Sequence, residues 1–266
     1  MKNNNLLLVI LNSASFILML LMNYASNTYA FSTISVGDIS HKYDTLFAPA
    51  DYAFIIWSVI FLLLLGFVIY QWVLLKNDPK QYIRRTGFWF IVSNITNALW
   101  VYCWVHEWLG YSVVIILMLL FSIIMLTVQL QLELKDEPVR TIFFVWWPIA
   151  VYLGWIMVAT IACIASWLVK NSWHFFNLAA DTWTVIMIWV AFGLYFFLIK
   201  IRNLRESAAV GVWAFIGIAI RQFGNHNDIS FTAIITSLIL TILILRHAYR
   251  NRFYTPLAKI KRGEWK

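Results

Sequence analysis

Charged residues are too scarce in this chain for a water-soluble protein. Only 12% of its 266 residues are charged and 62% are hydrophobic, whereas soluble domains carry roughly a quarter charged residues. Most of the surface must therefore face lipid, where only helices or closed barrels satisfy the backbone hydrogen bonds. The apolar runs are continuous rather than alternating, which favours helices. The sequence predicts an all-α, polytopic transmembrane helix bundle.

Signals for catalysis and for metal binding are also missing. The two cysteines, Cys103 and Cys163, lie in apolar stretches and form no disulfide or metal framework. No two of the five histidines have the spacing of metal ligands on one helix. No lysine lies in the middle of an apolar run, which argues against a retinal Schiff base, and the motifs G-x-S-x-G and H-E-x-x-H are absent. We predict that the chain is not an enzyme, requires no cofactor and holds no metal.

Eight apolar runs approach the ~20 residues that are needed to cross a hydrocarbon core. The seventh is short, is interrupted by Gly211 and Gly217, and ends at Arg221. The predicted spans cover residues 6–25, 52–75, 87–105, 110–132, 141–169, 182–200, 208–222 and 229–246.

Basic residues gather between these runs and in the C-terminal tail. With eight spans and a cytoplasmic N-terminus, all but three of the 20 lysines and arginines face the cytoplasm, and the exceptions are Lys42, Lys170 and Arg221. This is the positive-inside pattern. It predicts a multi-pass protein of the cell (inner) membrane with both termini cytoplasmic. The net charge of +8 is therefore assigned to the lipid bilayer as partner, with no nucleic acid, and the basic tail 246–266 is suited to anionic lipids.

The first apolar run has a second interpretation. Residues 1–30 contain one lysine, an apolar core and a small-residue ending, as a secretory signal peptide does. The uninterrupted stretch 6–22 is long for such a peptide, and its removal would leave seven spans. We expect it to be retained as a span.

The stretch Phe47–Tyr70 organises the rest of the chain. Pro49 is suited to the start of a helix, where its missing N–H costs nothing. Asp51 favours the positive end of the helix dipole. Aromatic residues follow before a long apolar run, and the polar segment 27–51 precedes it as the one long external loop. The pattern predicts an apolar pocket under a loop.

Three blocks of sequence resemble a known family. Residues 47–54 read F-A-P-A-D-Y-A-F, with Trp57 as a later tryptophan; residues 96–100 read T-N-A-L-W; and residues 151–155 read V-Y-L-G-W, with Ala159 four residues on. They stand where the TspO/MBR family, the tryptophan-rich sensory proteins related to the mitochondrial translocator protein, carries W-x-P-P-x-W-x-F, L-N-x-x-W and P-Y-L-x-W. The chain is similar to the long bacterial members of that family.

Some positions depart from the family pattern. Ala50 replaces one proline, Phe47 and Tyr52 replace two tryptophans, and Cys163 stands where an asparagine is expected. The interval from Tyr52 to Trp57 is one residue shorter than usual, which on an α-helix rotates the tryptophan by ~100°. These departures bear on which ligand is bound.

The resemblance covers about residues 1–170, which correspond to a five-helix TspO-like transmembrane unit. Residues 171–266 add three transmembrane helices and the basic cytoplasmic tail. The resemblance also implies a homodimer paired through helix faces, a surface that the three added helices could cover.

The resemblance implies that the bundle binds a flat hydrophobic small molecule, either a porphyrin-like or heme-like tetrapyrrole or a sterol, for sensing, sequestration or transport. Trp57 and Trp155 would stack on it, Asn97 would anchor it, and the Pro49 loop would gate the site. The predicted ligand-binding residues are Phe47, Pro49, Tyr52, Phe54, Trp57, Asn97, Trp100, Trp104, Tyr152, Trp155, Ala159 and Arg221.

Each kind of predicted ligand residue also has an explanation that involves no ligand. Tryptophans and tyrosines collect at membrane interfaces without binding anything, the amides of Asn94 and Asn97 can bond a neighbouring helix, and Arg221 can pair with an acidic residue or extend to the interface.

Two other functions stay open. A transporter of a small organic solute would use the C-terminal helices and Arg221, which could hold a substrate carboxylate. An enzyme would degrade a bound tetrapyrrole with light and oxygen, although no catalytic base is visible.

Overall fold

The computed structural model describes residues 2–172 and 178–265, and this part of the chain is helical without any strand. The predicted all-α class is confirmed. The helices are α1 (Lys2–Asn27), α2 (Val36–Lys42), α3 (Ile56–Leu74), α4 (Tyr82–Thr86), α5 (Trp89–Val105), α6 (Leu109–Gln129), α7 (Val139–Thr141), α8 (Trp147–Lys170), α9 (Ala180–Arg202), α10 (Arg205–Gln222), α11 (Asn227–Arg250) and α12 (Pro256–Lys261). Two 3₁₀-helices, Asp51–Ile55 and Arg252–Tyr254, and a π-helical turn, Ile142–Trp146, complete the described elements.

Six helical segments of the described chain are long and apolar enough to cross a membrane. They are Asn4–Asn27, Asp51–Leu74, Leu109–Gln129, Val139–Lys170, Ala180–Arg202 and Asn227–Arg250. The other two predicted spans form helices as well, but α5 has 17 residues, and the 18 residues of α10 include Arg205, Glu206 and Arg221. At 1.5 Å per residue both extend only about 26 Å, somewhat less than a hydrocarbon core of about 30 Å. The count of eight spans stays a prediction.

The described residues divide into two compact units. The first contains residues 2–45, 65–130 and 159–172, and the second contains residues 46–64, 131–158 and 178–265. The predicted division at residue 170 concerns the extent of the family unit and stays a prediction.

Polar side chains join the helices of the first unit. Asn12 on α1 donates to Gln71 on α3 over 2.7 Å, and both side chains are buried. Asn94 on α5 donates to the hydroxyl of Ser15 on α1 over 3.0 Å. Amides in hydrocarbon need partners, so these bonds fix how α1 packs against α3 and α5.

The segment 27–51 contains a helix where the sequence suggested only a loop. Ser35 caps α2 by accepting from the N–H of Asp38, whose carboxylate accepts from the N–H of Ser35. This is the reciprocal arrangement of a capping box. Trp104 donates its indole N–H to the carbonyl of Val36 over 3.1 Å and ties α2 to α5.

A carboxylate holds the end of α2 to the turn between α5 and α6. Glu107 accepts from Lys42 Nζ at 2.7 Å and from the hydroxyl of Tyr43, and its carbonyl accepts from Lys170 Nζ at 2.5 Å. The bonds from Lys42 and Tyr43 lower the pKa of Glu107 below its ordinary value of 4.5, and the bond to Glu107 raises the pKa of Tyr43 to about 12. We call these four residues the Glu107 clamp.

The Glu107 clamp predicts an acid-dependent stability. A carboxylate with a lowered folded-state pKa stabilises the fold fully above pH 4.5, and the contribution is lost as the pH falls through the folded-state value. Because the Lys42 side chain is half exposed, we expect the ion pair to contribute at most about 1 kcal/mol. Thermal unfolding in detergent should show wild type losing this increment below pH 4.5, with Glu107→Gln lacking it at every pH. An identical acid profile in both proteins would contradict the clamp.

The second unit is built on very close helix approaches. A Cβ atom at Gly154 of α8 would lie 2.6 Å from the carbonyl oxygen of Ser207 on α10, and one at Gly211 of α10 would lie 2.5 Å from the ring of Tyr195 on α9. Tyr195 donates its hydroxyl to the carbonyl of Gly154 over 2.7 Å, and Ser207 donates to the carbonyl of Ala150 over 2.6 Å. Small residues therefore let α8, α9 and α10 pack nearly backbone to backbone.

Candidate ligand site around the Pro49 segment

The chain from Leu46 to Ala53, called the Pro49 segment below, lies directly against α10. The N–H of Ala50 donates to the carbonyl of Gly217 over 3.1 Å. A Cβ atom at Gly217 would lie 2.8 Å from Cβ of Pro49 and 3.2 Å from Cβ of Ala53. Glycine is therefore needed at this position for the segment to approach so closely.

Three side chains of α10 also hold the Pro49 segment. They donate to its backbone carbonyls: Trp213 Nε1 to Ala53 over 3.0 Å, Arg221 Nη1 to Pro49 over 3.3 Å, and Gln222 Nε2 to Leu46 over 3.0 Å. A carbonyl that faces lipid or a buried surface without a donor is costly. These bonds satisfy the irregular backbone and keep the segment in one position.

The helix after the Pro49 segment begins with a tighter turn than the sequence indicated. A 3₁₀-helix runs over Asp51–Ile55, with Ala50 rather than Pro49 as the residue before it. Such a helix has about 3.0 residues per turn. One residue in this 3₁₀ turn corresponds to a rotation of about 120°, compared with the ~100° expected for Trp57 from an α-helix.

Four of the predicted ligand residues form one aromatic cluster, defined as Phe54, Trp57, Tyr152 and Trp155. The ring of Trp155 meets Phe54 edge-on at 5.9 Å and Trp57 edge-on at 6.3 Å, and Trp57 meets Tyr152 at 6.3 Å. Tyr152 and Trp155 are fully buried. The structure therefore brings together aromatic residues that are about a hundred positions apart in the sequence.

One polar atom in the aromatic cluster has no partner. The indole N–H of Trp155 is buried and meets no hydrogen-bond acceptor in the part of the chain that the structure describes. Leaving such a donor buried and unbonded costs roughly 1–3 kcal/mol. A bound molecule with an acceptor atom would remove this cost.

Four other predicted ligand residues belong to the Pro49 segment or contact it. Phe47 and Pro49 are buried, and Tyr52 packs edge-on against the ring of Trp213 at 5.3 Å. Arg221 donates to the Pro49 carbonyl. A role for Arg221 as the clamp of a ligand carboxylate stays a prediction.

Four predicted ligand residues belong to the other compact unit. Asn97 accepts a hydrogen bond from Asn23 over 2.8 Å, and Trp100 stacks on Trp104 at 5.5 Å. Ala159 is half-buried on α8. The interhelical bonding that was the alternative for Asn94 and Asn97 is thus observed, and the ligand role of these four residues stays a prediction.

Sequence reasoning singled out Arg221 but missed the other residues of α10 that hold the Pro49 segment. Gly217 was visible only as an interruption of a short apolar run, and Trp213 and Gln222 carried no motif. A glycine, a tryptophan and a glutamine within ten residues of a marginal span are the available signal. Nothing in the sequence connects them with a segment more than 160 positions earlier.

The fold and this site define a helical integral membrane protein with a proline-containing segment held beside buried aromatic residues. A family model described as TSPO-like protein matches residues 9–246, and the chain belongs to that family. The resemblance to the TspO/MBR family is therefore confirmed, and the match extends beyond residue 170 through α9, α10 and most of α11. No curated protein and no solved structure matches the chain at a significant level.

Proposed function

We propose that this membrane protein binds a flat hydrophobic small molecule, a porphyrin-like tetrapyrrole or a sterol, at the aromatic cluster. The observation that carries the proposal is the buried, unbonded N–H of Trp155 among edge-packed rings. Membership of the TSPO-like family supports it. The protein would reside in the cell inner membrane with both termini in the cytoplasm.

Binding would use the aromatic faces and one polar group. Trp57 and Trp155 offer flat surfaces to a conjugated ring system, and the Trp155 N–H would donate to an acceptor on the ligand. The Pro49 segment would gate entry, because it leads directly into the 3₁₀-helix that carries Phe54.

The test is equilibrium binding of protoporphyrin IX to the purified protein, followed by porphyrin absorbance so that tryptophan variants remain comparable. We expect saturable binding in wild type and its loss in a Trp57→Ala, Trp155→Ala double variant. Trp155→Phe keeps an aromatic ring but removes the N–H and part of the indole, so it should weaken binding at least tenfold, the equivalent of one hydrogen bond of about 1.4 kcal/mol.

Trp189→Phe is the matched control, because Trp189 is half-exposed on α9 and is not in the aromatic cluster. Equal and non-saturating uptake of both porphyrin and sterol by all four proteins would mean partition into detergent and would refute the proposal. A sterol ligand would instead give no porphyrin saturation but a saturable sterol signal with the same dependence on Trp155.

One measurement distinguishes a transporter from a protein that only senses or sequesters its ligand. Ligand-dependent flux across liposomes that contain the protein would establish a transporter. Conversion of bound porphyrin to a new product, dependent on Trp57 or Trp155, would establish an enzyme. We propose neither activity, because no residue of the aromatic cluster is a base and Arg221 is bonded to the Pro49 backbone.

A further inference from the structure

The second compact unit contains a polar cavity that shares no residue with the aromatic cluster. Its volume is about 240 Å³. Its walls come from the chain between α6 and α7, the junction of α9 and α10, the end of α11, and α12. Because α9 and α11 are long and apolar enough to cross a membrane and end here, the cavity would lie at a membrane boundary.

Positive side chains outnumber carboxyl groups in the cavity wall. Lys135, Arg205 and Lys259 line it, against Glu133 and Asp136. Lys259 is 2% exposed and donates to the carboxylate of Asp136 and to the carbonyl of Glu137. An ammonium has three donors, so one N–H of this fixed, buried cation has no partner among the described residues.

Arg205 offers a further set of donors. Its Nε donates to Glu206 over 3.2 Å, its side chain is 14% exposed, and its two terminal nitrogens have no partner in the described parts of the chain. A guanidinium with its outer fork free is suited to bidentate contact with a phosphate or a carboxylate.

The remaining wall is preorganised by neutral polar groups. Asn203 has a left-handed backbone at φ +57° and donates its side-chain amide to the carbonyl of Glu133 over 3.4 Å. His247 Nε2 lies 3.0 Å from Asn203 Oδ1 and 3.1 Å from the amide nitrogen of Asn251. These contacts join the loop before α7 to the ends of α9 and α11, so the cavity is held open by defined side chains.

Glu133 supplies a proton-dependent group. Its Oε1 atom is buried and has no hydrogen-bond partner in the described chain. Burial and the nearby Glu206 carboxylate raise the pKa of Glu133 to about 8, against the opposing effect of Arg205 and Lys259. At neutral pH this carboxyl is protonated and is a donor. His247, Lys135, Asp136 and Tyr254 are the other titratable or charged groups of the cavity wall.

We propose that this cavity binds a phosphate group, held by the fork of Arg205, the ammonium of Lys259 and the carboxyl of Glu133. A phosphate presents acceptor oxygens in several directions and so matches donors on three walls, whereas a carboxylate has two oxygens on one edge. No three His, Cys, Asp or Glu side chains of the described residues are grouped to hold a metal ion. The phosphate belongs either to an anionic lipid headgroup at this boundary or to a soluble molecule.

Two binding measurements on the full-length protein in detergent test the site and its source. The first is equilibrium dialysis with radiolabelled inorganic phosphate, and the second is titration with fluorescent phosphatidylglycerol against phosphatidylcholine as reference lipid. Saturable phosphate binding that competes with the lipid assigns a soluble source. Saturable phosphatidylglycerol binding that phosphate does not displace assigns a lipid source. Saturation in neither measurement overturns the proposal.

Variants identify the cavity as the place of binding. Arg205→Gln should weaken binding at least tenfold, and Arg205→Lys, which keeps the charge but loses the fork, serves if the glutamine variant unfolds. Arg252→Gln is the control, because Arg252 lies beside the ring of Tyr249 and does not line the cavity. An equal loss in Arg205→Gln and Arg252→Gln would mean general attraction to basic protein and would overturn the site.

Glu133→Gln adds a readout that a purely structural role would not change. Wild-type affinity should fall as the pH rises through about 8, because Glu133 ionises beside a bound anion. The glutamine variant should bind as well as wild type at neutral pH and should lack this fall. A pH profile that is the same in both proteins would exclude Glu133 from the site.

Discussion

Replacing Gly154 with alanine should lower the free energy of unfolding by about 3 kcal/mol, the upper part of the usual range for overpacking. The added Cβ atom would lie 2.6 Å from the carbonyl oxygen of Ser207, 2.9 Å from its Cα and 2.9 Å from Cβ of Val210. Two of these three atoms are backbone, so no rotamer change can relieve the contact. Separation of α8 from α10 would also strain the bonds from Tyr195 to Gly154 and from Ser207 to Ala150.

Thermal and denaturant-induced unfolding in detergent would measure this loss. The matched control is Gly193→Ala on α9, where a Cβ atom would meet nothing within 4 Å. That variant should be as stable as wild type or gain up to about 1 kcal/mol, because alanine is the better helix former. If Gly154→Ala unfolded at the same midpoint as Gly193→Ala, the close approach of α8 and α10 would be wrong.

Replacing Gly217 with alanine should impair ligand binding more than it impairs folding. The new Cβ atom would lie 2.8 Å from Cβ of Pro49 and 3.2 Å from Cβ of Ala53, so the Pro49 segment must shift away from α10. Because the Pro49 segment can move at one edge, we expect the free energy of unfolding to fall by only about 1–2 kcal/mol. Porphyrin binding should weaken by about tenfold or more, because the shift carries the 3₁₀-helix and Phe54 with it.

The measurement pairs an unfolding curve with the porphyrin titration for the same preparation of Gly217→Ala. Gly193→Ala is again the control for adding one methyl group to a membrane helix. A folded Gly217→Ala protein with wild-type porphyrin affinity would show that the Pro49 segment does not control the aromatic cluster. A protein that failed to fold would be replaced by Trp213→Phe, which removes the bond to the Ala53 carbonyl and keeps an aromatic ring beside Tyr52.

The sequence predicted the helices well because continuous apolar runs have few other solutions in a bilayer. The prediction was weakest for short helices that carry charges, such as α10 with Arg205, Glu206 and Arg221. It also missed α2, although Ser35 and Asp38 have the spacing of a capping box. Seven residues between polar turns give too little periodicity to identify a helix.

The aromatic residues of the candidate site could be predicted from the sequence, but the residues that position them could not. Trp57, Tyr152 and Trp155 are at motif positions, so the resemblance selected them before their packing was known. The contacts of Gly217 with Pro49 and Ala53 depend on how distant segments pack, and no local pattern encodes that. The polar cavity was missed for the same reason, since Glu133, Arg205 and Lys259 are far apart in the chain.

The support of the Pro49 segment by α10 decides how small a working piece of this protein can be. A fragment that stops near residue 170 would keep all three blocks of family sequence, which end at Ala159. It would nevertheless lose all the α10 donors to the carbonyls of Leu46, Pro49 and Ala53. Those three carbonyls would then need hydrogen-bond donors from water or detergent, at the place where a ligand would enter the aromatic cluster. Helix α10 is therefore needed to hold the Pro49 segment, and shortened versions are poor substitutes for the whole chain in binding studies.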